Sequence, residues 1–166
     1  MSFDSETEHP DAKIRERPSW VSYEVLTLLT LAAAHAYLVR NAVGVAESTI
    51  RDDLGLTLSE SGWFMGAFFW SYAVLQVPGG ALSHRFGTRF ALSLFVGAWS
   101  VAAVCIGLSP GFLVLMIAQL VMGAAQAGAF PASVHTISHW IPPPRRTIAC
   151  GVLTMGMQVG AIASSI

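Results

Sequence analysis

The chain has 166 residues, of which 54% are hydrophobic and only 11% charged, with a net charge of −1. Ordinary soluble domains carry roughly 25% charged residues, so the composition excludes a soluble fold. The near-neutral balance gives no basic surface for nucleic acid.

In chain order, the opening MSFDSETEHPDAKIRERPSW is acidic, then basic. A secretory signal would instead begin basic and run straight into a short apolar core. Residues 1–19 are expected to be a disordered tail. Five apolar runs follow, predicting helices at about 20–40, 61–83, 90–108, 112–139 and 147–166. A bilayer core of ~30 Å takes ~20 helical residues, so each run is long enough to cross. The expected fold is an all-α integral membrane protein with five transmembrane helices.

The gaps read as helix connections. GLTLSES (Gly55–Ser61) offers Ser59 as a cap for the second helix. GLSPG (Gly107–Gly111) is a tight turn, and WIPPPRR (Trp140–Arg146) stops the fourth helix because proline lacks an amide donor. Lys13, Arg15, Arg17, Arg85, Arg89, Arg145 and Arg146 fall on one side of these spans and Arg51 on the other. The positive-inside rule then puts the N-terminus in the cytoplasm. The chain closes on QVGAIASSI with no polar end, as a piece of a longer chain would.

Arg40 is the main candidate for chemistry. A guanidinium at membrane depth needs an ion, a cavity or a route to the headgroups, and it can hold a carboxylate through two parallel bonds. Its alternative is snorkelling at the outer end of the first helix. Tyr37 shares its face three residues earlier, as a donor to the same ligand or as a wall aromatic. Gln119 and Gln126, seven apart, share a face of the fourth helix; they can line a polar path or bond to neighbouring helices. Trp70 lies mid-span and can face a cavity. Trp20, Trp140 and Trp63 read as interface anchors. His35 reads as a packed or proton-sensitive histidine. His135 and His139, four apart, do not complete a metal site, and Cys105 and Cys150 fit no metal or redox spacing. No metal or cofactor is expected, and nothing assembles the acid–base cluster that a membrane enzyme needs.

Between the second and third runs stands GGALSHRFGTRF (Gly79–Phe90). Pro78 can bend the second helix, Gly79 and Gly80 allow close approach, and Gly87 can take a positive φ. This stretch resembles the signature loop of the major facilitator superfamily at Gly80, Arg85, Gly87 and Arg89. YLVRNAVGVA (Tyr37–Ala46), FFWSYAVLQVPGG (Phe68–Gly80) and GAFPASVHTISHWIPPPRR (Gly128–Arg146) resemble its anion:cation symporter branch, and the likeness covers about 20–166. It departs at His84, where the loop usually has an aspartate, at Phe90, and at Gln119 and Gln126, which replace an arginine and a glutamate. His139, Pro144 and Arg145 also replace charges common in the branch.

The resemblance implies that residues 20–166 are part of the amino-terminal half of a two-half carrier in the bacterial inner membrane. Its partners would be the lipid bilayer, a small organic anion (a carboxylate or sugar acid) and the carboxy-terminal half of the same protein. It implies alternating access coupled to H+, with Na+ as the second choice. The substrate path would be lined by Arg40, Tyr37, Gln119, Gln126 and Trp70, and the switch loop formed by Gly80, His84, Arg85, Gly87 and Arg89. The competing reading is a helix bundle that no longer transports.

Overall fold

The computed structural model describes residues 19–165, and the side chains of residues 20–165; the expected tail at 1–19 lies almost wholly outside them. The described chain is helical: α1 (Ser19–Val45), α2 (Glu47–Leu54), α3 (Leu58–Phe86), α4 (Thr88–Gly107), α5 (Phe112–Ala127), α6 (Ala129–Trp140) and α7 (Arg146–Ala163), with a 3-10 turn at Pro143–Arg145. α5 and α6 continue one another across Gly128 as a single 29-residue rod.

Four helical stretches, not five, are long and apolar enough to cross a bilayer: Trp20–Val45, Thr88–Gly107, Phe112–Trp140 and Pro143–Ala163. This corrects the five-span expectation. The stretch that drops out is 61–83, which lies within α3. Its length is sufficient at 29 residues, but Trp63, Trp70, Ser71, Tyr72, Gln76 and Pro78 dilute its mean hydropathy.

Local chemistry explains most of the boundaries. α3 starts with a capping box. Thr57, not Ser59, is the cap: its hydroxyl accepts from the Glu60 amide while the Glu60 carboxylate accepts from the Thr57 amide. α2 ends at Gly55 with φ 63°, and the Leu56 amide closes the turn onto the Arg51 carbonyl at 2.9 Å. The rod is interrupted at Gly128, three residues before Pro131. Proline obstructs the turn that precedes it, so Pro131 sits in the first turn of α6, where an amide is not needed. α3 and α4 meet at a single residue, Gly87, with φ 86°.

The most extensive packing joins α3 to α5, α1 to α7 and α4 to α5. Small residues bring these helices together. A Cβ at Gly160 would collide with the Ala34 carbonyl of α1, and one at Gly156 would meet Thr30. These two glycines form a G-x-x-x-G step that seats α7 on α1. Two apolar clusters result. One gathers Phe64, Phe68, Phe95, Trp99, Leu115 and Met122 from α3, α4 and α5. The other gathers Leu29, Ile137, Ile141, Leu153 and Met157 from α1, α6 and α7.

Candidate functional site

Between the two clusters lies a cavity of about 380 Å³ whose lining includes Tyr37, Arg40, Tyr72, Gln76, Trp99 and Gln126. A second, of about 310 Å³, includes Tyr37, Arg40, Asn41, Phe68, Gln119 and Gln158. Tyr37 and Arg40 line both, so they stand where the two spaces meet. α1 runs on to Val45, which places Arg40 more than a turn inside the helix rather than at its end.

The surroundings of Arg40 are unusual for a cation. Its guanidinium carbon lies 4.5 Å from the ring centre of Phe68, 5.0 Å from Phe69, 5.6 Å from Tyr37 and 5.8 Å from Tyr72. These rings attract the charge through their π faces and hold the group in place. Among the described residues no carboxylate pairs with Arg40 and no hydrogen bond engages it; the ion pairs present belong to Arg51, with Glu47 and Asp52. The donors of the guanidinium fork are therefore unspent, in two cavities able to admit a small molecule.

The two glutamines differ. The Gln126 side chain is buried, and its amide donates to the Ala36 carbonyl at 3.2 Å, so it both ties α5 to α1 and lines the larger cavity. The Gln119 side chain is buried at the smaller cavity, and its Oε1 has no hydrogen-bond partner. Trp70 stands apart from the group: it is 69% exposed and lines neither cavity. Asn41 spends its amide on the Tyr37 carbonyl within α1 at 2.8 Å.

Trp99 adds a contact that sequence reading did not supply. Its indole N–H, on a side chain 1% exposed, donates to Nδ1 of His35 at 3.3 Å. The partners lie 64 residues apart on α4 and α1, so no local spacing announces them.

Near the end of α3, Gly80 faces Pro131 at ordinary contact distance and Gly79 presses on the Gly128 backbone. Arg85 lies over the Phe86 ring at 5.6 Å, and Arg89 is exposed in the first turn of α4. His84 stacks on His135, with ring centres 4.1 Å apart, and His135 on His139 at 4.4 Å. The pair on one face of α6 was legible from its four-residue spacing; the third ring, brought by α3, was not. No group of three or more metal-ligating side chains able to hold an ion occurs among the described residues.

The helical fold agrees with comparison to known proteins. The Major Facilitator Superfamily profile matches residues 29–166. The chain is 31% identical over 144 residues to the D-galactonate transporter of Escherichia coli O6:H1, covering 87% of this chain and 34% of that protein. It is 33% identical to the probable sulfoacetate transporter SauU of Cupriavidus necator, covering 82% of this chain and 32% of the relative. Among solved structures, a bacterial homolog of the human lysosomal transporter Spinster, inward-facing and occupied, superposes with a TM-score of 0.80 at 27% identity. That match covers 89% of this chain and 32% of the homolog. The chain thus spans about a third of the length of the relatives it matches. With a profile match over most of its length and four helices fit to cross a bilayer, the chain is a multi-pass membrane protein that belongs to the Major Facilitator Superfamily.

Proposed function

We propose that this chain forms part of the amino-terminal half of a secondary transporter that moves a small organic anion, a carboxylate or sugar acid, by alternating access. The observation that carries the reading is Arg40, held by four rings at the junction of two cavities with its hydrogen-bonding fork unspent. A planar anion fits that fork through two parallel charge-assisted bonds. Tyr37 borders both spaces and serves as a further donor, with Gln119 and Gln126 on their walls. The relatives support the same class, since two of them carry names that refer to D-galactonate and sulfoacetate.

Gly80, His84, Arg85, Gly87 and Arg89 form the hinge that changes shape during switching. Arg145 reaches Tyr23 near the start of α1 and His84 meets α6, so the arginines of both connections gather at the end where α1 begins. A basic end faces the cytoplasm, in a bacterial inner membrane. The coupling ion is H+ in preference to Na+, and the rest of the path comes from the carboxy-terminal half.

The test is uptake by the full-length protein in liposomes, with D-galactonate, D-glucuronate and sulfoacetate as probes. Saturable uptake of at least one probe is expected, with Arg40→Ala reducing it tenfold or more. Saturable uptake that survives Arg40→Ala removes the site assignment. A second reading, a non-transporting helix bundle, is favoured by one observation: Gln126 spends its amide on a packing bond to Ala36. It becomes the account if the folded full-length protein moves none of the probes.

A further inference from the structure

The bond between Trp99 and His35 ties a titratable ring to the wall of the larger cavity. An indole nitrogen only donates, so the His35 nitrogen that receives it, Nδ1, carries no proton in this state. Trp99 is itself part of the cavity lining, and His35 is exposed on the face of α1 that carries it. If Nδ1 takes up a proton, it becomes a donor, and two donors cannot share the bond. The indole N–H then has to find another acceptor, and the cavity at its edge is where one can be placed.

The cavity that Trp99 borders holds few ionisable groups. Of the elements packed around the cavity, α4, α5, α6 and α7 contribute Trp99, Gln126, Ser133 and Thr154 as polar groups and no acid or base. The ionisable groups in the lining are Tyr37 and Arg40 from α1 and Tyr72 from α3. Within the four apolar spans the one carboxylate is Glu24, near the start of α1 and about four helical turns before Arg40. A phenol in general loses its proton only in alkali, and a guanidinium keeps its charge. Histidine is the side chain suited to gain and lose a proton between about pH 5 and 8.

We propose that His35 is the proton-binding partner of the anion site: one proton on Nδ1 breaks the bond from Trp99, frees the indole N–H toward the cavity and adds a positive charge beside it. The proposal rests on the anion reading of Arg40 and deepens it. One proton is added and none is lost, and the neutral imidazole becomes imidazolium. The anion then meets a second donor and a second positive charge, so proton and anion bind together. By linkage, a bound anion raises the affinity of His35 for its proton by the factor by which the proton raises affinity for the anion. His35 acts through Trp99 and is a positioning residue.

The experiment uses the full-length protein in nanodiscs with ¹⁵N-indole-labelled tryptophan, and Trp99→Phe identifies the Trp99 signal. Over about pH 5 to 8, the Trp99 indole resonance should shift in a single transition in the wild type. It should stay fixed in His35→Gln, whose side chain does not titrate. Affinity for a probe anion (D-galactonate, D-glucuronate or sulfoacetate) should rise about tenfold from the top to the bottom of that range, equivalent to about 1.4 kcal/mol, and be flat in His35→Gln. An indole signal that does not move overturns the proposal, and so does pH-dependent binding that survives His35→Gln. A signal that titrates through His35 while no probe binds at any pH supports the proton switch and removes the anion reading of Arg40, so the two can fail separately.

Discussion

Arg40 and its rings define what a conservative change at this position should do. Lysine keeps the charge but loses the planar fork and the stacking surface. Arg40→Lys should therefore weaken probe binding by about tenfold, ~1.4 kcal/mol, measured by calorimetry on the full-length protein, while leaving the fold intact. A second residue-scale consequence concerns the Thr57–Glu60 cap. The backbone amide and then the hydroxyl of Thr57 hold the Glu60 carboxyl below its ordinary range. A carboxylate lowered in the folded state contributes stability that is full above its unfolded value and fades as the pH falls through the folded one. Amide exchange at the start of α3 should accordingly quicken on acidification. Thr57→Ala should cost about 1 kcal/mol and flatten that response, both read from exchange rates. At this scale the sequence was partly legible. Arg40 and Tyr37 stand out because a cation in an apolar run is costly and three residues bring a phenol onto its face. The side of α3 on which Trp70 lies, and the partner of Trp99, are set by packing between distant helices and leave no mark on local spacing.

Elements were legible where one physical signal dominated. The apolar runs gave the rods, and the prolines of WIPPPRR gave the stop before α7. α2 escaped notice because eight polar-rich residues carry too little apolar periodicity to announce a helix. α3 was over-read, since its run of aromatic and small residues looked as apolar as its neighbours. The α3–α4 connection was drawn too long; one glycine with φ 86° turns the chain, where a loop of several residues was expected. The α1–α7 seam offers a direct test. Gly160→Val drives a side chain into the Ala34 carbonyl, and overpacking of this kind costs about 1–3 kcal/mol. Gly151 is the control, because a Cβ there meets nothing within 4 Å. Thermal unfolding in detergent should show a lowered midpoint for Gly160→Val and little change for Gly151→Val.

Among the described residues the most extensive packing forms two groups, α3–α4–α5 and α1–α7, with α6 packed against both and the larger cavity lined from all of them. A ligand in that space touches both groups and should restrain their relative motion. Hydrogen exchange followed by mass spectrometry, with and without a saturating probe anion, should show added protection in α1 and α7 that is absent from Arg40→Ala. Equal protection in that variant would mean that the anion acts elsewhere. That the chain is helical was legible from the length of its apolar runs, whereas the five spans expected from them are four, and which helices pack together depends on which small residues meet.

The unpaired guanidinium also has an electrical meaning. In the empty state this part of the molecule holds a positive charge in one of its apolar spans with no counter-charge beside it. A step that carried that charge through the whole membrane field would involve about 2.3 kcal/mol per 100 mV, so membrane voltage would act on the unloaded protein as it reorients. A bound monovalent anion cancels the charge, but the proton that His35 takes up with it restores one. Empty and loaded passages then carry the same charge in opposite directions, so a full cycle moves no net charge and voltage can set its pace without driving it.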